Sequence, residues 1–155
     1  MVDENVLSKD GKAAEGIVTE SHWSLALETP ENDQFKAAYM KKYGHPPSVY
    51  SEQGYVTGMV IAEALNKTNG QIRGREFVQT MRSLELKAPR GLIRFDEYGA
   101  PTQNYCIRKV QMIGGQWQNA IMKSYPGVNQ FWSWSPKDFM AMPPYTDMKG
   151  EWANN

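Results

Sequence analysis

The sequence predicts an α/β fold that forms part of a larger sheet. Apolar residues recur at the spacing of amphipathic helices in the segments 32–44, 50–69 and 74–86. A short apolar segment at 91–95 is typical of a strand, and Gly114-Gly115 separates two segments that predict a β-hairpin. These strands are too few to cover the apolar helix faces, so we expect the chain to supply only part of a sheet.

The first predicted elements are a short helix and a strand. The helix covers residues 3–16 and ends at Gly16, because glycine readily adopts the left-handed conformation that terminates helices. The strand covers residues 16–21 and is predicted to bury Ile17 and Val18. A loop then leads to the next helix.

Two longer helices follow, joined by a rigid connection that contains two prolines. The helix at 32–44 is predicted to use Asn32 or Asp33 as its N-cap and to end at a glycine. The helix at 50–69 is predicted to end near Gly70, which is a good left-handed terminator. Together they predict a hairpin-like helix pair.

The rest of the chain is predicted to contain a third helix, three strands and an irregular tail. The helix covers 74–86 and the next strand covers 91–95. The hairpin strands cover 103–113 and 116–125, on either side of the two glycines. Regularity stops afterwards, so we expect the tail at 128–155 to be extended and packed on another part of the protein.

Composition and charge exclude several functional classes. The chain has 155 residues, of which 41% are hydrophobic, and 17 basic residues balance 17 acidic ones. A single domain of ordinary globular character is expected, without the basic surface that nucleic-acid binding requires. No segment approaches the roughly 20 apolar residues of a membrane span. The acidic N-terminus has no hydrophobic signal core, so the chain as written predicts no signal peptide.

No catalytic or metal-binding motif is present in the sequence. Cys106 is the single cysteine and lies in an alternating segment, which predicts a buried strand thiol and excludes an internal disulfide. His22 follows a predicted strand end but has no orienting carboxylate nearby in sequence. It can be a cleft wall, a surface residue or, least expected, a catalytic base paired with Cys106. We therefore predict no cofactor, no metal and no enzymatic activity.

The start of the helix at 50–69 is unusual, because polar and aromatic residues crowd its first turn. Backbone N–H groups at a helix start lack partners inside the helix, and the helix dipole is positive there. A ligand carboxylate suits such an end, with Tyr50 available to stack and Ser51 or Gln53 to form hydrogen bonds. The alternative is that Ser48 or Ser51 only caps the helix and that the tyrosines pack in the core.

Four motifs in order resemble the type I periplasmic solute-binding proteins, most closely the branched-chain amino-acid class of ABC importers. They are the strand in AAEGIVTESHW, the helix FKAAYMKKYGHPP, the helix start YSEQGY, and GLIRFDEYG. The similarity covers nearly all of residues 13–134. The tail VNQFWSWSPKDF is also similar to members thought to take up aromatic acids.

The resemblance implies a two-lobed fold in which three strands cross between three-layer αβα lobes. Residues 1–20 would hold a remnant of the C-terminal lobe and the first of the crossing strands present here. Residues 21–105 would belong to the N-terminal lobe. Residues 106–155 would form another crossing strand, a hairpin of the C-terminal lobe and the tail. The expected function is capture of a small amino acid or aromatic carboxylate between the lobes.

The resemblance also implies which residues face the ligand. The aromatic residue that the family places in the cleft at this helix start falls on Tyr50, whereas Glu52 departs from the family's usual apolar or aromatic residue. The predicted ligand-binding residues are Tyr50, Ser51, Gln53, His22 and Trp23. The implied partners are a small-molecule ligand and an ABC permease, with a periplasmic location.

The family's N-terminal half has no counterpart in this sequence, so we expect a fragment or a reading frame begun late. Apolar helix faces would then be uncovered, which predicts self-association or pairing with the absent half. Two other functions remain open. One is a ligand-sensing regulatory domain of the same fold, and the other is a small α/β enzyme that uses His22 and Cys106.

Overall fold

The computed structural model describes residues 2–142. Within them, five strands form an open antiparallel sheet in the order β1-β4-β3-β2, with β5 also paired to β4. The predicted α/β class is confirmed by this mixture of helices around an open sheet. The strands are β1 (Val18–Ser21), β2 (Glu85–Ala88), β3 (Gly91–Phe95), β4 (Pro101–Ile113) and β5 (Gln116–Val128).

The helices of the described region are shorter at several ends than the sequence predicts. Gly11 has φ 55°, so the first predicted helix breaks after Asp10 and continues only as a 3₁₀ turn. No helix among residues 2–142 has both the length and the apolar character needed to cross a membrane. The helices are α1 (Glu4–Asp10), α2 (Pro30–Tyr43), α3 (Val49–Lys67), α4 (Arg75–Arg82) and α5 (Pro136–Met140).

Strand β4 connects the two parts of the sheet. Its first residues pair with β3, its middle pairs with β1, and its residues from Gln103 to Ile113 pair with β5. Gly114 and Gly115, with φ 55° and 81°, form the tight connection between β4 and β5. The predicted hairpin is therefore confirmed. Strands β1 and β4 pair side by side in the sheet although they are far apart in sequence.

Strand β5 extends beyond its predicted end. It runs through Pro126 and Gly127 to Val128, although these residues indicated a break. The β4–β5 register shifts between the pairs Gln103–Val128 and Tyr105–Tyr125, so the proline and glycine occupy an irregularity in the ladder. Proline is tolerated at such bulges and on edge strands because it cannot donate a ladder hydrogen bond.

Helices α2 and α3 are both present and meet through the rings of Phe35 and Tyr55, with one correction at the start of α2. Thr29 rather than Asn32 or Asp33 caps α2, since the Thr29 side chain accepts a hydrogen bond from the Asn32 N–H and Pro30 occupies the first turn. Gly44, with φ 74°, ends α2 as expected. At the end of α3, the Gly70 N–H donates to the Leu65 carbonyl at 2.8 Å.

The predicted helix at 74–86 is wrong in its last residues. Helix α4 ends at Arg82, and Glu85–Ala88 forms strand β2 against β3. Glutamate, lysine and alanine favour helices locally, but the turn at Pro89 and Arg90 brings this segment against β3, where pairing overrides propensity. In the tail, the short helix α5 corrects the prediction of wholly irregular structure, and residues 143–155 of that prediction lie outside the described region.

The core consists of small separate clusters, and many apolar side chains remain exposed. One cluster joins Leu7 and Ala14 to Val110, and another joins Val56 to Ala88 and Ile93. The prediction that Ile17 and Val18 are buried is wrong, because they are 40% and 61% exposed. Alternation along β1 puts Val18 on the sheet face opposite the one that α1 covers. Exposed apolar side chains on helices agree with the expectation of too few strands to cover them.

Candidate functional site

The first turn of α3 is closed by a reciprocal capping box. The Ser48 N–H donates to Ser51 Oγ at 2.7 Å, and the Ser51 N–H donates to Ser48 Oγ at 3.3 Å. Tyr50 is 59% exposed, so its ring does not pack in the core. The capping alternative thus holds for the two serines, whereas the core-packing alternative does not hold for Tyr50.

Successive side chains of this turn face different surroundings, because each residue advances about 100° around a helix. Ser51 borders a cavity of about 760 Å³ between α3, α1 and the β4–β5 hairpin, where Glu4 and Trp117 also line the wall. Gln53 borders a different groove of about 370 Å³. The structure therefore does not bring Ser51 and Gln53 to one cavity.

Glu52, between them, points into the protein and forms a buried ion pair. Its side chain has no exposed surface, and Arg90 Nε donates to Glu52 Oε1 at 2.9 Å. Arg90 Nη2 contacts the second carboxylate oxygen, and Nη1 donates to Gln103 Oε1 at 2.8 Å. Such a bidentate, charge-assisted contact fixes both distance and orientation. The network ties the start of α3 to the β2–β3 turn and to β4.

Sequence reasoning missed Arg90 and Gln103. Glu52 lies four residues before Val56 on the stripe that α3 buries. A carboxylate on a buried stripe needs a cation, since an unpaired charge is costly to remove from water. That rule would have indicated a missing basic partner, although not which one.

His22 lies beside this network. Its Nε2 is 3.6 Å from Glu52 Oε2, and its ring meets the edge of Tyr105 with centroids 6.4 Å apart. The side chain is 14% exposed, and within residues 2–142 its Nε2 has no hydrogen-bond partner. His22 is therefore close to the start of α3, as a cleft-wall position requires, but a ligand contact remains a prediction.

Trp23 lies inside the core rather than on a cleft wall. It has no exposed surface, and its Nε1 donates to Asn32 Oδ1 at 2.7 Å. Its ring packs edge-on against Phe35. The buried indole therefore secures the loop after β1 to α2, so any effect of Trp23 on a ligand must act through this support.

Tyr55, which the core-packing alternative would bury, is 46% exposed. It packs against Phe35 with ring centroids 4.8 Å apart. Cys106 is the buried strand thiol that the sequence predicts, with its Sγ 3.5 Å from Ser124 Oγ. In the described part of the chain, no cluster of three or more candidate metal ligands occurs.

Two neighbouring carboxyl groups connect α1 to the same region. Asp3 Oδ1 accepts a hydrogen bond from the Val49 N–H at 3.3 Å, and Glu4 Oε1 accepts one from the Leu25 N–H at 3.3 Å. Burial, together with a hydrogen bond and charge repulsion from Asp3, raises the pKa of Glu4 to about 7, although the Arg108 charge opposes this. Glu4 thus changes charge near neutral pH at the wall of the larger cavity.

Residues 1–116 match the family model described as periplasmic binding protein. The chain belongs to this family. It is 29% identical over 113 residues to the Leu/Ile/Val-binding protein homolog 6 of Brucella abortus, an alignment that covers 71% of this chain and 29% of the relative. The chain thus spans less than a third of that relative's length.

Two solved structures are similar to this chain in fold. One is a solute-binding protein of an ABC transporter from Rhodopseudomonas palustris BisB5 in complex with 3,4-dihydroxybenzoic acid, with TM-score 0.78, 33% identity and coverage of 82% of this chain and 35% of that one. Another, from R. palustris in complex with benzoate, has TM-score 0.74 and 26% identity over 84% of this chain and 36% of that one. The expected resemblance to type I periplasmic binding proteins is confirmed.

Proposed function

We propose that the protein serves as solute-binding component of an ABC importer and captures a small carboxylate, with an aromatic acid favoured over an amino acid. The observation that carries this proposal is the 33% identity, at TM-score 0.78, to a solute-binding protein that holds 3,4-dihydroxybenzoic acid. The similarity to a Leu/Ile/Val-binding protein homolog supports the amino-acid alternative. An aromatic acid and an amino acid both carry a carboxylate, so the site would have to bind that group in either case.

The start of α3 suits that chemistry. Its dipole favours a negative charge, and the exposed Tyr50 ring can stack on a flat ligand. The Val49 and Ser51 N–H groups are already bonded to Asp3 and Ser48, so a ligand carboxylate would rely on side-chain donors. Ser51 presents a hydroxyl that is held in place by the capping box. The exposed Gln53 borders the separate groove of about 370 Å³, so its amide takes no part in this arrangement. Glu52 cannot contribute to anion binding, because it is buried against Arg90.

The remaining parts of the proposal follow from membership of the family. The ligand would be held between two lobes that close by a hinge motion. The ligand would then be released without any chemical change. The protein would work in the periplasm and deliver its ligand to a permease. In this scheme β1 and β4 are the crossing strands, His22 borders the cleft, and Trp23 supports it from behind.

Isothermal titration of the chain with benzoate, 3,4-dihydroxybenzoate, benzamide and L-leucine tests the ligand class. We expect the two benzoates to bind and benzamide, which lacks the charge, to bind about tenfold more weakly. Binding of L-leucine without the benzoates would overturn the aromatic preference. Equal affinity for benzamide and benzoate, or no binding of any carboxylate, would overturn the proposal itself.

A further inference from the structure

A second cavity, of about 560 Å³, lies against the crossing of β1, β4 and β5. Glu20 of β1 and Ile107 of β4 are opposite each other in the ladder, and both line this cavity. In the next pair of the ladder, Arg108 Nε donates a hydrogen bond to Thr19 Oγ1. Arg108 Nη1 also donates to the Trp23 carbonyl. Because neighbouring strand residues point to opposite faces, the cavity lies on the sheet face away from α1.

Aromatic rings form much of its wall. Tyr105, Tyr125 and Trp132 line the cavity, and the rings of Tyr125 and Trp132 meet edge to face with centroids 5.8 Å apart. Trp132 has φ 51°, an uncommon conformation for a bulky residue, and its side chain is 62% exposed. The turn at this point thus holds a large indole at the cavity in a conformation that local preference disfavours.

The cavity has one charge and it is negative. Glu20 is the only acidic residue among the described residues that line it, and none of them is lysine, arginine or histidine. Within residues 2–142 no ion pair or hydrogen bond engages the Glu20 carboxylate. The Tyr125 ring already makes one cation–π contact within the protein, since Lys123 Nζ lies 4.8 Å from its centroid. Aromatic faces and a carboxylate together favour positive charge.

We propose that this cavity binds a small organic cation, a protonated amine attached to a flat apolar body. The volume fits a small molecule, the aromatic rings provide apolar and cation–π contacts, and Glu20 provides the counter-charge. The cation would contact β1, β4 and the segment that carries Trp132. No residue of α3 lines this cavity, although Tyr105 on its wall also meets His22, and the cavity takes a ligand of the opposite charge.

Titration of the chain with phenethylamine, followed by tryptophan fluorescence and calorimetry at neutral pH, tests the proposal. We expect saturable binding of phenethylamine, with benzyl alcohol, which has no charge, binding at least about tenfold more weakly. Equal binding of the alcohol and the amine, or no binding of the amine, would overturn the proposal.

Two variants and two controls locate the site. Glu20→Gln and Trp132→Ala should each weaken phenethylamine binding by about tenfold. Trp134→Ala is the matched control, because Trp134 is 56% exposed in the same segment. Tyr50→Ala should also leave amine binding unchanged, which separates this site from the carboxylate site. Unaltered affinity in both Glu20→Gln and Trp132→Ala, with folding verified by circular dichroism, would contradict the assignment.

Discussion

Glu52 and Arg90 form a buried, bidentate ion pair that joins the first turn of α3 to the turn between β2 and β3. The two residues are 38 positions apart in sequence. Arg90 also reaches Gln103 on β4, so one guanidinium connects three parts of the chain. The position of Tyr50 and Ser51 relative to the strands therefore depends on this contact.

Arg90→Ala should lower the free energy of unfolding by about 3–5 kcal/mol, because it leaves the Glu52 carboxylate buried without a counter-charge. Urea denaturation measures the change. Arg94→Ala, at an exposed position on β3, is the control and should change stability by less than about 0.5 kcal/mol. If both substitutions cost equally little, the ion pair does not hold the start of α3 in place.

The stability of the protein should fall as pH rises from about 4.5 to about 7, because of Glu4. Its pKa is about 7 in the folded protein, against an ordinary value of 4.5, so the folded state retains the proton through this range while the unfolded state loses it. The loss should amount to at most about 3 kcal/mol. Denaturant unfolding at a series of pH values measures it.

Glu4→Gln should flatten that pH dependence, since glutamine is uncharged in both states. Glu15→Gln, at an exposed position just before β1, serves as the control and should retain the slope. A Glu4→Gln protein with the same slope as the parent would show that another group is responsible.

The chain on its own should self-associate, because several apolar side chains on its helices and strands lie open to solvent. Ile61, Val78 and Leu92 are each between 43% and 44% exposed. Burial of these apolar side chains against a second copy of the chain would favour association. Light scattering across a range of concentrations measures the effect, and a constant mass of 17.6 kDa would contradict it.

Much of α3 could be predicted from sequence, because its determinants are local. The Ser48 cap, the apolar spacing and the terminating Gly70 all lie within or beside the helix. The β4–β5 hairpin was predictable for the same reason, since two adjacent glycines permit the turn. The resemblance of four short motifs in order then indicated the family.

The parts that failed depend on contacts between distant residues. Strand β2 exists because β3 pairs with it, although its own residues favour a helix. Trp23, which the resemblance puts among the ligand-binding residues, is enclosed by Asn32 and Phe35, and neither partner is indicated by its sequence neighbours. Tyr55, which the core-packing alternative would bury, stays 46% exposed beside Phe35. Local patterns do not encode these partners.

The affinity of Tyr50→Ala for 3,4-dihydroxybenzoate is the most direct test of carboxylate capture at the start of α3. We expect calorimetry to show a loss of about 1–3 kcal/mol in binding free energy, as for one stacked aromatic ring, with the melting temperature of the unliganded protein nearly unchanged. Tyr43→Ala, which removes an exposed tyrosine 52% open to solvent at the end of α2, should bind like the parent. An unchanged affinity in Tyr50→Ala, or an equal loss in both variants, would contradict a ligand site at this helix start.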